Sequence, residues 1–175
     1  MDKIEKLLSV GDLRMTGNVE QVIKLVLSEP ALFENVVNSI SSGEPATKMR
    51  ASDAVEKITR KHPEWLKPFK SKFLNEIVKI EQKEVRWHMA QILPRFRLTK
   101  KEREDVYNLM LTYLKDDSRI VKTFAMQALT DLSMIDSSYF NRVFSIINQL
   151  EKNGVPSQQS RARKLLLILE KSKKR

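Results

Sequence analysis

The chain has no cysteine, which excludes disulfide frameworks, cysteine-based zinc sites and thiol catalysis. Four glycines and six prolines in 175 residues leave little material for tight turns, and this argues against a many-stranded β fold. Histidine is nearly absent as well. His62 and His88 are the only two, and neither stands beside an acidic cluster at ligand spacing, so no metal site is expected. There is no Gly-x-Ser-x-Gly, no Gly-x-Gly-x-x-Gly and no Walker-type loop, hence no visible catalytic machinery and no cofactor or small-molecule substrate. Apolar runs never approach the roughly 18 residues that span a bilayer. Residues 1–8 interleave charges with apolar residues and do not read as a signal peptide. A soluble, cytoplasmic protein that is not an enzyme is the expectation.

Acidic residues are also in short supply, 22 against 32 Lys plus Arg, which gives a net charge of +10 and a pI near 9.8. A basic surplus suits polyanions such as nucleic acid or acidic proteins. The plainer reading is a set of solvated Lys-rich faces. With 41% hydrophobic and 31% charged residues the mixture is globular, and its abundant Leu, Lys, Glu, Gln, Met and Arg lose little rotamer freedom in a helix.

An internal repeat organises those residues. From Val85, the apolar positions Val85, Met89, Ile92, Leu93 and Phe96 fall at offsets 0, 4, 7, 8 and 11. From Val121 the same offsets hold Val121, Ala125, Ala128, Leu129 and Leu132. Counting from Thr47, offsets 4 to 11 hold Ala51, Ala54, Val55 and Ile58; counting from Gln158 they hold Ala162, Leu165, Leu166 and Leu169. Such offsets lay one apolar stripe along an α-helix, and recurrence near 37 residues is the period of a two-helix repeat. Between these helices lies a second set of stripes. These are Leu32, Val36, Val37 and Ile40; Leu66, Phe69, Phe73, Ile77 and Ile80; Val106, Leu109, Met110, Tyr113 and Leu114; and Tyr139, Phe140, Val143, Phe144, Ile147 and Leu150. Polar breaks at 41–45, 81–84, 115–118 and 154–157 are short enough to make antiparallel neighbours. Thr99 before Glu102 reads as a capping box, and Pro63 and Pro68 mark the opening of a helix. Residues 1–30, with Gly11 and Gly17 between two short apolar stripes, read as an irregular cap, and residues 173–175 as a basic tail.

Val85-Arg86 with Met89-Ala90 and Ile92-Leu93, and Leu114-Lys115-Asp116-Asp117-Ser118 leading into Val121-Lys122, resemble HEAT repeats, part of the wider armadillo-like helical repeat class. Lys61 to Phe69 resembles the opening of a HEAT first helix. The resemblance covers about residues 31–172. It implies an all-α fold, a right-handed α-α superhelix of about four HEAT-like helix pairs with an N-terminal helical cap, in one domain. It also implies a turn aspartate that accepts from a basic residue of the second helix, a spacing that Asp116 and Lys122 match and that Ile80 and Ser42 depart from. By the same resemblance, the second helices form the concave, ligand-facing surface.

On those helices offset 1 holds Lys48, Arg86, Lys122 and Gln159, and offset 3 holds Arg50, His88, Phe124 and Arg161. The basic ones line a positive groove, or else pair with turn acids and cap carbonyls. Trp87 stacks on or anchors a partner, or else packs against the adjacent repeat. The candidate binding surface is therefore Lys48, Arg50, Arg86, Trp87, His88, Lys122 and Arg161. The expected function is a non-catalytic scaffold module that binds a protein partner, with a nucleic-acid-binding module as the alternative. HEAT-like alkylpurine DNA glycosylases are similar in helix stacking and basic charge, and Trp87 with Asp53 or Asp131 would stand in their roles, but no motif match extends beyond the fold.

Overall fold

A computed structural model of the chain describes residues 3–11 and 17–173, with the side chain of Lys173 and the terminal pair of the basic tail outside the described residues. Among the described residues it is all-helical, with no strand. Two compact units divide it, Met1–Arg97 and Leu98–Arg175.

The first unit opens with α1 (Lys3–Leu8) and α2 (Val19–Ser28), followed by α3 (Phe33–Ser42) and α4 (Pro45–Lys61) as an antiparallel pair. Pro45 opens α4 at a position whose N–H needs no intrahelical partner. The next first helix was expected to be continuous from Leu66 to Ile80. It is instead broken into a 3-10 turn at Pro63–Phe69, the short α5 (Lys70–Asn75) and another 3-10 turn at Ile77–Lys79. The physical reason for the first of these turns lies in Pro63 and Pro68, which lack the N–H donor and disfavour helix in the residue before each of them; the second break falls at Glu76, beyond their reach. Leu66, Phe73 and Ile77 reach the core all the same. α6 (Lys83–Ile92) stops short for a related reason. Pro94 ends it in a 3-10 turn at Leu93–Arg95, so Phe96 keeps its buried place from extended backbone rather than from the helix.

In the second unit α7 (Lys100–Tyr113) pairs with α8 (Arg119–Ile135), and α9 (Phe140–Asn153) with α10 (Pro156–Lys173). The capping box at the start of α7 is present: Glu102 N–H donates to Thr99 Oγ1 at 3.3 Å, and Thr99 N–H to Glu102 Oε2 at 2.7 Å. The second helices of the four pairs begin at Pro45, Lys83, Arg119 and Pro156, so the unit recurs every 36 to 38 residues. Their stripes are the core: Ala51, Ala54, Val55, Val85, Met89, Ile92, Val121, Ala125, Ala128, Leu129, Leu132, Ala162, Leu165 and Leu169 are all fully buried. Within each unit one second helix also packs on the next, α4 on α6 and α8 on α10.

The N-terminal helices are fixed by a charge. Arg50 on α4 is fully buried, and its Nη1 donates to the Leu8 carbonyl at the end of α1 at 2.7 Å. Gly17 meets it with φ +54°, a left-handed conformation favouring glycine, and a Cβ there would lie 2.8 Å from Arg50 Nε. The guanidinium therefore fits because position 17 has no side chain.

Leu129→Ala, on the buried stripe of α8, is expected to cost about 2–5 kcal/mol in urea unfolding. Leu167→Ala, at a position on α10 that is 59% exposed, is expected to stay within roughly 0.5 kcal/mol of the parent. Equal losses would show that the stripe has been assigned to the wrong face.

Candidate binding surface

Beside the buried stripe each second helix turns a second row of side chains toward solvent, spaced four residues apart and therefore on one face. On α4 the row is Met49, Asp53 and Lys57; on α6 and its 3-10 extension it is Trp87, Gln91 and Arg95; all six are half-buried. In the second unit Thr123, Gln127 and Asp131 on α8 and Ser160, Lys164 and Ile168 on α10 occupy the same places.

These side chains pair with one another. Lys57 Nζ lies 3.1 Å from Asp53 Oδ2 and 2.8 Å from Glu20 Oε1. His88 places Nδ1 2.6 Å from the Glu84 carbonyl, so the proton on Nδ1 is donated there and Nε2 accepts from Trp87 Nε1–H at 3.1 Å. That same Nε2 is 3.7 Å from Asp53 Oδ1. Burial pushes the Asp53 carboxyl up, but the Lys57 ammonium beside it holds the group below the usual carboxylate range. In the second unit the Arg161 guanidinium donates to Gln127 Oε1, whose amide in turn donates to Asp131 Oδ1 at 2.7 Å. Asp53 and Gln127 share offset 6 of their repeats, and His88 and Arg161 share offset 3. Each unit thus joins neighbouring second helices through the same pair of positions.

The expected site residues separate accordingly. Lys48, Arg86 and Lys122 are half-buried, with Arg86 Nη2 3.9 Å from Glu81 Oε1. Trp87 is half-buried on the exposed row. Arg50 was expected on an open surface and is not there: it is wholly inside, holding the Leu8 carbonyl. His88 is 6% exposed and belongs to the joint between helices. Arg161 is half-buried and bonded to Gln127. Asp116 accepts from the Ser118 N–H at 2.8 Å at the mouth of α8.

Two charged clusters escaped the sequence reading. In the first unit Glu56, 3% exposed, receives Arg60 Nη2 and Arg95 Nη2 at 2.5 Å each, while Arg95 Nη1 donates to the Glu56 carbonyl and to Thr59 Oγ1. Burial raises this carboxyl, and the hydrogen bonds from Arg60 and Arg95 overcome it and hold it low. In the second unit Glu104 accepts from Tyr139 Oη at 2.8 Å and from Arg142, whose guanidinium lies 4.2 Å from the centre of the Tyr107 ring. Burial and the Glu104 carboxylate push the Tyr139 phenol up to about 12. A signal for both existed in the one-repeat separations of 39 and 38 residues between partners.

Among the described residues no group of three His, Asp or Glu side chains is placed to hold a metal ion, and no helix is long and apolar enough to cross a membrane. No family model, curated protein or solved structure matches the chain.

Because Glu56 and Asp53 titrate lower when folded than when unfolded, the unfolded chain binds more protons in acid. Their stabilisation is therefore complete above the ordinary carboxylate range and is lost as pH falls through the folded values. Glu56→Gln is expected to lower stability at neutral pH by about 1–3 kcal/mol and to flatten the decline below about pH 5. Urea midpoints measured across the acid range check this, and an acid limb as steep as the parent's would remove Glu56 from the account.

Proposed function

We propose that this chain is a non-catalytic binding module of the HEAT-like repeat kind, which holds a protein partner on the half-exposed row of its second helices. The superhelical winding of its pairs is part of the same proposal, supported by the sequence resemblance and by the repeat register within each unit. So is a cytoplasmic location, which the absence of cysteine suits.

The carrying observation is that four polar groups of this row, Asp53 with Lys57 and Gln127 with Asp131, are already paired with one another. Asp53 is met by Lys57, and Gln127 by Arg161 and Asp131, while Met49 and Trp87 supply apolar surface among them. A phosphate backbone is held by cations aimed at solvent, each neutralising a phosphate and releasing a counterion. Arg50 is withdrawn from that task by burial, and Arg161 by its bond to Gln127. An interior-paired face around a half-buried aromatic suits a protein interface, where a few aromatic anchors carry most of the energy. The alternative, a nucleic-acid-binding module, draws on the net charge of +10 and on Lys48, Arg86 and Lys122, which stay partly exposed.

Partner capture by the full chain is expected to weaken for Trp87→Ala by about 2 kcal/mol, a roughly thirtyfold loss. Fluorescence anisotropy with labelled single- and double-stranded DNA and RNA is expected to show binding only at low salt. Binding that survives near-physiological salt, declines steeply as salt rises and vanishes in the Arg86→Glu, Lys122→Glu double variant would replace the protein-binding reading with the nucleic-acid one.

A further inference from the structure

A cleft of about 570 Å³ lies in the first unit, between the 3-10 turn that follows α4 and the residues that follow α6. Pro63, Leu66 and Phe96 supply apolar wall, and Lys67, Lys70 and Arg97 supply charge. Lys67 and Arg97 are exposed, and Lys70 Nζ donates to the Arg97 carbonyl at 2.9 Å, tying the two sides of the cleft together. Two further charges line it and are engaged. Arg95 is turned onto the buried Glu56, and the Glu64 carboxylate lies 3.4 Å from His62 Nδ1. Four cations, one of them turned onto Glu56, therefore line the cleft beside one carboxylate.

The architecture alone does not require that charge. The second unit has a cleft in the same repeat register, about 710 Å³, between the start of α9 and the end of α10. Pro63, Leu66 and Lys67 correspond there to Ser137, Phe140 and Asn141, and Arg95 corresponds to Ile168. Of the residues lining that second cleft only Lys171 is charged. The same fold feature is thus basic in one unit and nearly neutral in the other, which separates the cations from any general need of helix C-termini.

We infer that the cleft of the first unit binds an acidic peptide segment of a partner protein, with one apolar side chain seated between Pro63, Leu66 and Phe96 and flanking carboxylates drawn to Lys67 and Arg97. The inference rests on the protein-binding reading above and names the chemistry of that partner. A duplex presents its phosphates and keeps its bases stacked on one another, so it supplies negative charge but no apolar group to fill the wall. A peptide with Glu or Asp around a Leu or Phe supplies both.

The test is fluorescence anisotropy of the full chain with three labelled peptides. The first has glutamates flanking a single Phe, the second has those glutamates changed to glutamine, and the third has them changed to lysine. A single-stranded oligothymidylate of matched charge is run beside them. The glutamate peptide alone is expected to bind. Lys67→Glu with Arg97→Glu should weaken it by about tenfold or more, whereas Lys152→Glu with Lys171→Glu, the same charge change in the second unit and off the row of the second helices, should leave it within about twofold. Circular dichroism of each variant keeps a folding defect from being read as lost binding. Equal weakening by both pairs, no binding of the glutamate peptide, or tighter binding of the oligothymidylate that depends on Lys67 and Arg97 would each overturn the inference. Partner capture that depends on Trp87 yet survives the Lys67 and Arg97 changes would overturn this cleft and leave the binding-module reading standing.

Discussion

A pair of short helices cannot cover its own apolar faces, and this constraint shapes both units. Each second helix needs its antiparallel partner on one side and a neighbouring second helix on another before residues such as Val55, Met89, Leu129 and Leu165 are removed from water. Burial of one such side chain contributes about 1.5–3 kcal/mol, so a missing neighbour would expose more than a lone pair can lose. The polar chemistry follows the same geometry. Glu20 to Lys57, Pro45 to Gln82, Glu56 to Arg95, Glu104 to Arg142 and Gln127 to Arg161 are each bridged across 34 to 39 residues, about one repeat.

Charges in this arrangement act as joints. Glu56 is buried beneath two guanidinium groups, and the pair matters through the cost of leaving the buried carboxylate without them rather than through net attraction. Arg50 plays the corresponding part for the N-terminal helices, where a positive-φ glycine makes room for it. Such joints consume cations that composition alone would assign to a partner, and for that reason a net charge of +10 overstates the positive surface on offer.

The helical class, the recurrence near 37 residues and the buried stripes were legible because they depend on local periodicity. The spacing of Leu93 and Phe96 marks both as core, while Pro94, which keeps that spacing, ends α6 at Ile92. The broken segment from Pro63 to Lys79 has the periodicity of one helix because Leu66, Phe73 and Ile77 keep helical spacing even where two prolines interrupt the backbone bonding at its start. The binding surface was less legible. Offset 3 looked like an exposed basic row, yet Arg50 and His88 at that offset lie at helix–helix contacts, and only the packing of α4 with its neighbours decides which side of offset 3 meets solvent. The clefts were invisible for the same reason, since each joins residues nearly thirty or more apart.

The distribution of aromatic residues makes the chain a divided optical object. Both tryptophans lie in the first unit and each touches one of the two histidines: Trp65 stacks on His62 at 4.9 Å, and the Trp87 ring lies 5.4 Å from that of His88. The three tyrosines, Tyr107, Tyr113 and Tyr139, all belong to the second. Indole emission therefore reports one half of the molecule and phenol absorbance the other, while backbone dichroism sums the two. Whether the halves melt as one cooperative body or in sequence can be read from the unmodified protein, by whether those three signals share a midpoint.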